Sequence, residues 1–181
     1  MSYIKNNGLI EPHLDGKKKL LSLMLYFPDK LENEKLSLTS RILGPGRVVR
    51  MAERLRESNQ QIPELNFCAI SGEEMIGGIA YWPIQIGATP ALLLGPLVVN
   101  PEWQGKGVGR GLIATTLGIA EMLGHGLVLL VGDLSYYGQS GFVIAPSGLK
   151  CPGPVDESRL LIYEIKRGIA ADLSGSVSVA S

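Results

Sequence analysis

Cysteine, histidine and net charge are all scarce in this sequence. Its 181 residues include two cysteines and two histidines, and 17 basic side chains balance 17 acidic ones. Cys68 and Cys151 stand at no metal-ligand spacing from each other or from a histidine, so we expect neither a disulfide framework nor a metal site. A chain without net charge also has no overall field to draw it to nucleic acid or to an anionic membrane, and we expect neither as a partner.

Long hydrophobic runs are missing as well. No apolar stretch approaches the roughly 20 residues of a membrane helix, and the polar start MSYIKNNGLIEPHLDGKKK lacks the apolar segment of a signal peptide. These absences predict a cytoplasmic protein. Hydrophobic residues nevertheless make up 45% of the chain. That content is enough for one core, since a chain of this length buries about 70% of its unfolded surface.

Shifts in composition divide the chain into three parts. Residues 1–18 are a polar N-terminal extension, residues 19–167 are one globular domain, and residues 168–181 are small and Ser-rich. We expect the last part to be a disordered tail, because it has few large apolar side chains to bury.

Apolar periodicity and turn residues predict seven strands and three helices. The predicted strands are residues 19–27, 64–71, 74–86, 91–99, 127–133, 141–145 and 159–166. The predicted helices are residues 28–43, residues 47–58 and a segment from Gly109 to the GHG stop at 124–126. Short turns between the second, third and fourth strands predict an antiparallel meander. The strand, helix and strand that follow predict a crossover with parallel pairing.

The glycine-rich stretch NPEWQGKGVGRGL, residues 100–112, lies where a predicted strand ends and a helix begins. A helix N-terminus offers up to four unpaired N–H groups and a partial positive charge, which together suit an anion such as phosphate. Gly105, Gly107 and Gly109 remove the side chains that would block its approach. The stretch therefore predicts a phosphate site on the backbone.

Two common phosphate motifs do not fit this stretch. A P-loop requires Ser or Thr after its Gly-Lys pair, but Lys106 is followed by Gly107. A dinucleotide fingerprint requires a third glycine at the position of Arg110. A glycine-rich turn that does no more than start a helix is the remaining structural alternative.

The spacing of Gln104, Gly107 and Gly109 resembles the coenzyme A loop of the GNAT N-acetyltransferase superfamily. LLLGPLVVNPEWQGKGVGRGL is similar to that family's fourth strand, pyrophosphate loop and third helix, and YGQSGF is similar to its later tyrosine and Gly-Phe signature. The resemblance extends over residues 20–166, so the domain at 19–167 is identified as a GNAT acetyltransferase domain.

Three further segments resemble one branch of the superfamily, a group of small, poorly characterised bacterial acetyltransferases. They are GPGRVVRMAERLRE, LVGDLSYYGQSGF and CPGPVDESRLLIYEI. The family fold that the resemblance implies is α/β (α+β), with a mixed, mostly antiparallel central sheet, helices on both faces, and fourth and fifth strands that splay apart.

The resemblance also implies that acetyl-coenzyme A is the acyl donor and lies in the cleft between the splayed strands. Its pantetheine arm would follow the fourth strand, and its pyrophosphate would rest on the glycine loop. The implied binding residues are Leu97, Val98, Val99, Gln104, Gly105, Lys106, Gly107, Val108, Gly109 and Arg110.

The implied chemistry is direct attack by an amine on the thioester. A main-chain N–H near Val98 would polarise the carbonyl oxygen. Tyr137, four residues before Gly141, matches the family's general-acid tyrosine, which protonates the departing thiolate. A packing role for Tyr137, or for its neighbour Tyr136, is the alternative.

The sequence departs from the common family pattern at Leu130, where many members carry an asparagine that touches the pantetheine arm. The general base is also open at this point. The alternatives are water and four carboxylates: Glu73, Glu74, Glu102 and Asp133.

The resemblance predicts an enzyme that transfers an acetyl group from acetyl-coenzyme A to a primary amine of a small molecule or a protein. Homodimers are common in the family and are expected here on that ground alone. The alternative is a GNAT-fold protein that binds coenzyme A as a regulator or scaffold without catalysis, because a fold does not by itself establish chemistry.

Overall fold

The computed structural model describes residues 5–6, 9–10, 24–26, 32–43, 51–72 and 74–180. Within these residues the chain forms four α-helices and ten strands. The helices are α1 (Glu32–Leu43), α2 (Met51–Arg54), α3 (Val108–Met122) and α4 (Leu134–Tyr137). The strands are β1 (Lys5–Asn6), β2 (Leu9–Ile10), β3 (Met24–Tyr26), β4 (Phe67–Ser71), β5 (Glu74–Ile86), β6 (Thr89–Val99), β7 (Leu127–Val131), β8 (Val143–Ile144), β9 (Leu160–Glu164) and β10 (Val177–Val179).

One mixed sheet organises the molecule. Its strand order is β3-β4-β5-β6-β7-β9-β8, and β10 pairs with the far end of β5. β4, β5 and β6 form the predicted antiparallel meander, while β6 and β7 are the one parallel pair among the described strands. β1 and β2 form a separate antiparallel hairpin. The predicted fold class is thus confirmed.

The opening in the sheet lies between β6 and β7. Gly95 and Pro96 together face the single residue Ala80, because the pairing of β6 with β5 slips by one residue there. Such a bulge bends the strand that carries the extra residue. β7 pairs with β6 only at Leu92 and Leu93, before the bulge. Among the described strands, none pairs with the second half of β6 on that side, and the predicted splay is confirmed.

Hydrophobic clusters cover both faces of the sheet. Side chains along β7 point alternately into the two clusters. Val128 and Leu130 belong to the cluster under α3. Leu127 and Leu129 belong to the cluster that contains Met51 of α2. The apolar face predicted for α3 is buried as expected. Its members are Leu112, Ile113, Thr116, Leu117 and Ala120.

A buried hydrogen bond fixes α3 to the sheet. The Tyr81 hydroxyl on β5 and Thr116 Oγ1 on α3 are 2.8 Å apart. Thr116 Oγ1 also donates to the carbonyl of Leu112 in the preceding turn. The start of α3, with the glycine loop before it, is therefore held at a set position above β5 and β6.

One of the two predicted N-terminal helices differs from the observed one. α1 agrees with its prediction over Glu32–Leu43, and residues 28–31 lie outside the described part. The prediction of a helix over 47–58 was wrong after Arg54, where the chain continues as turns. Asn59 Nδ2 donates to the carbonyl of Leu55 at 3.0 Å, which takes an acceptor that a continuing helix would use. Residues 47–50 lie outside the described part.

The prediction of a disordered tail was wrong for residues 168–180. β10 pairs antiparallel with the end of β5, and both Leu173 and Val177 are buried. The Ser-rich segment contains an alternating Val-Ser-Val strand, and its first valine, Val177, faces the core. The same segment braces a loop, because the Lys150 N–H donates to Gly175 and the Val177 N–H donates to Lys150. The boundaries of the N-terminal extension and of the domain stay predictions.

Candidate active site

A cleft of about 480 Å³ opens where β6 leaves β7. Its walls are the end of β6, the glycine loop, the first turn of α3, and α4. Nine of the ten binding residues predicted from the sequence line it: Leu97, Val98, Val99, Gln104, Gly105, Gly107, Val108, Gly109 and Arg110. Lys106 is not among the lining residues, because its ammonium lies over the Trp103 ring, 4.8 Å from the centroid.

Further side chains complete the lining of this cleft. Tyr137, the predicted general acid, is one of them. Ile42, Trp103, Tyr136 and Gln139 also line the cleft and were not among the predicted binding residues. Of these four residues, only Tyr136 could have been suspected from the sequence, because it is adjacent to Tyr137.

The glycine loop presents a row of unpaired amides to the cleft. In the described part of the chain, none of the backbone N–H groups from Gly105 to Arg110 has a hydrogen-bond acceptor, and the first helical bond runs from Gly111 to Gly107. Gly105 and Gly107 have φ of 74° and 88°. A Cβ on either would meet no atom within 4 Å, so both face open space. The loop therefore has the form of an anion site.

The unpaired half of β6 adds two more donors. The Asn100 N–H donates to the Ile76 carbonyl on β5 at 2.8 Å. Because donors alternate along an antiparallel strand, the Val98 N–H also turns toward β5, and those of Leu97 and Val99 turn toward the side that β7 has left. The main-chain N–H expected near Val98 to polarise the carbonyl oxygen is therefore that of Leu97 or Val99.

Tyr137 is held between glycine and aromatic neighbours. Its ring packs so closely on Gly132 that a Cβ there would overlap it. It makes edge-to-face contacts with Tyr136 and Phe142, with centroids 4.9 and 5.8 Å apart. These contacts fix the direction of the ring.

The Tyr137 hydroxyl remains protonated at neutral pH. Burial raises its pKa well above the usual value, and the neighbouring Tyr136 and Asp133 act in the same direction, against Arg159 and Arg56. The phenol can therefore donate a proton but is a poor acceptor of one.

A second cleft of about 300 Å³ meets the first at Leu97 and Tyr137, which line both. Its other walls come from α2, the β6 bulge and residues 154–159. Glu53 and Arg56 lie in it as an ion pair with an N–O distance of 2.6 Å. Sequence reasoning missed both, because on a predicted helix they looked like an ordinary charged face.

The carboxylates named from the sequence lie elsewhere. Glu102 is exposed, Glu74 accepts a hydrogen bond from Asn100, and Asp133 pairs with Arg159 at 3.2 Å. None of these three lines either cleft. Glu73 lies outside the described residues. Leu130, at the position of the family's asparagine, is buried in the core.

Residues 63–144 match the family model described as Acetyltransferase (GNAT) domain. The match includes the glycine loop, α3 and both tyrosines of α4. These residues form a GNAT acetyltransferase domain. Proteins similar to the chain include the one named Uncharacterized N-acetyltransferase YhbS from Escherichia coli K12, which is 26% identical over 107 residues. That alignment spans 58% of this chain and 64% of YhbS.

Solved GNAT structures share the whole architecture. The crystal structure of Escherichia coli YhbS in complex with CoA superposes with a TM-score of 0.72 at 21% identity, over 93% of this chain and 94% of that one. A GNAT family acetyltransferase from Brucella melitensis, in complex with acetyl-CoA, gives 0.56 at 22% identity, over 82% and 86%. At these identities the likeness establishes the GNAT fold.

No helix in the described part of this chain is both long and apolar enough to cross a membrane.

Proposed function

We propose that this protein transfers an acetyl group from acetyl-coenzyme A to a primary amine of a small molecule or a protein. One observation carries the proposal: a single cleft combines a row of unpaired amides, two free strand donors and a protonated tyrosine. The two similar structures that hold CoA or acetyl-CoA support the choice of donor.

Acetyl-coenzyme A would lie along the cleft, with its successive parts against the loop amides, the free N–H groups of β6 and Tyr137. The pyrophosphate occupies the amides from Gly105 to Arg110, which lie at a helix N-terminus and favour negative charge. The pantetheine arm pairs with the free backbone N–H of Val99 on β6, which leaves the N–H of Leu97 for the thioester oxygen. The thioester then reaches the junction of the two clefts, beside Leu97 and Tyr137.

Acetyl transfer then proceeds in one displacement. The amine enters from the second cleft and forms a C–N bond with the thioester carbon, and a free N–H of β6 stabilises the oxygen as it becomes negative. The C–S bond breaks, and Tyr137 gives its proton to the departing thiolate. Glu53, which lines the second cleft together with the carboxylate of Asp156, takes the proton that the amine loses, directly or through water.

A coenzyme A-binding regulator without catalytic activity is the second candidate. The decisive experiment pairs calorimetric binding of acetyl-coenzyme A with thiol release over a panel of primary amines and amine-bearing peptides. We expect binding together with turnover for at least one acceptor class. Binding without turnover by any amine would favour the regulator, and absence of binding would contradict both candidates.

A further inference from the structure

The adjacent residues Tyr136 and Tyr137 of α4 face different parts of the cleft. Tyr137 lines both clefts and so stands at their junction, whereas Tyr136 lines only the first. The Tyr136 hydroxyl lies against Gly109 at the start of α3, whereas the Tyr137 ring packs on Gly132. Tyr136 is therefore not a second copy of the proposed general acid.

The Tyr136 hydroxyl lies at the start of α3. It sits against Gly109 so closely that a Cβ on that residue would overlap it. Gly109 is one of the six residues whose N–H groups have no acceptor in the described part of the chain. Unlike Gly105 and Gly107, Gly109 does not have a positive φ, so its missing side chain serves to admit this hydroxyl.

The hydroxyl is available as a donor. Among the described residues it has no hydrogen-bond partner, although the side chain is only 38% exposed. Burial raises its pKa, with Arg110 acting in the opposite direction, so the group is neutral and keeps its proton. Arg110 is itself held beside α4, because its Nη1 donates to Gln139 Oε1 and Gln139 Nε2 donates to the Ser135 carbonyl.

We propose that Tyr136 donates a hydrogen bond to a phosphate oxygen of the acyl donor and so helps to select a donor that carries a pyrophosphate. This inference rests on the proposed function, since it assumes that coenzyme A occupies the cleft. A hydroxyl placed among unpaired amides and beside a guanidinium suits a phosphate oxygen, because hydrogen bonds to a charged acceptor are stronger than neutral ones. Tyr136 then acts in binding, and Tyr137 in chemistry.

The test compares Tyr136→Phe with the unchanged protein in calorimetric titrations with two ligands: coenzyme A, and pantetheine, which lacks the pyrophosphate and the 3′-phosphoadenosine. We expect the substitution to weaken coenzyme A binding about tenfold, the usual effect of losing a bond to a charged group. Pantetheine binding should change less than twofold. Tyr163→Phe, which removes a hydroxyl outside both clefts, is the matched control.

The outcomes separate this inference from the proposed function. Unchanged coenzyme A affinity in Tyr136→Phe would overturn it, and so would an equal loss for both ligands, which would place the hydroxyl on the pantetheine arm. If the unchanged protein binds no coenzyme A, the proposed function itself fails. A normal melting temperature of the variant shows that any loss of affinity arises in the cleft.

Discussion

The two clefts that meet at Leu97 and Tyr137 differ in the chemical groups that line them. The larger one presents mainly backbone: amides of the glycine loop, the first turn of α3 and the free edge of β6. The smaller one presents side chains, among them Glu53 and Arg56, from a short helix and from loop residues 154–159. A backbone site depends on φ and on small residues, whereas a side-chain site can change its specificity by single substitutions.

This contrast gives each cleft its own expected response to mutation. Changes in the backbone cleft should act on donor binding, and changes in the side-chain cleft should act on the acceptor. Changes at the junction should act on turnover alone.

Replacement of Tyr137 by phenylalanine acts at the junction and should have the largest effect. The ring and its packing on Gly132 survive, while the proton for the thiolate is lost. We expect turnover to fall about 10²- to 10⁴-fold, the usual range for a general acid, with little change in acetyl-coenzyme A affinity. Steady-state kinetics and calorimetry measure the two quantities. Near-normal turnover, under conditions where chemistry limits the rate, would make Tyr137 a packing residue.

Replacement of Gly107 by valine acts on the backbone cleft. A β-branched residue resists the φ of 88° found here, and its side chain would project into the space assigned to the phosphate. We expect donor affinity to fall by about 100-fold or more, since several charge-assisted bonds are lost together. Gly148→Val, at a φ of 83° in a turn outside both clefts, controls for backbone strain. Equal affinity in the two variants would remove the loop from the site.

Replacement of Glu53 by glutamine acts on the side-chain cleft. It removes the proposed proton acceptor and weakens the ion pair with Arg56. We expect kcat/KM for the acceptor to fall about tenfold or more, the scale of one lost charged interaction. The affinity for acetyl-coenzyme A should stay unchanged. Glu64→Gln, an exposed carboxylate outside both clefts, should leave both quantities alone. An effect of Glu53→Gln on donor affinity would contradict the division between the clefts.

The pH dependence should show the smallest effect. Tyr137 is active when protonated, and burial raises its pKa, so loss of its proton is displaced to a pH above the usual value of about 10. Turnover at saturating substrate should therefore rise as the amine loses its proton and should not decline between about pH 8 and 10. A decline in that range that disappears in Tyr137→Phe would contradict the raised pKa.

The difference between the clefts also explains what the sequence could predict. The face of α3 and the amide row follow from local periodicity and glycine spacing, and the structure has both. The C-terminal end of α2 depends on the Asn59 side chain, and the order in the C-terminal segment depends on pairing with β5. The contact of Glu53 and Arg56 with the site depends on how α2 packs. Such long-range contacts leave no local pattern.

The bulge at Gly95 and Pro96 also bears on the speed of binding. The opening between β6 and β7 follows from one extra residue in β6, so the cleft is built into the pairing of the sheet. A site that is already open loses little conformational entropy when it is filled. We therefore expect donor association to be limited by diffusion and orientation, with no slow isomerisation ahead of it.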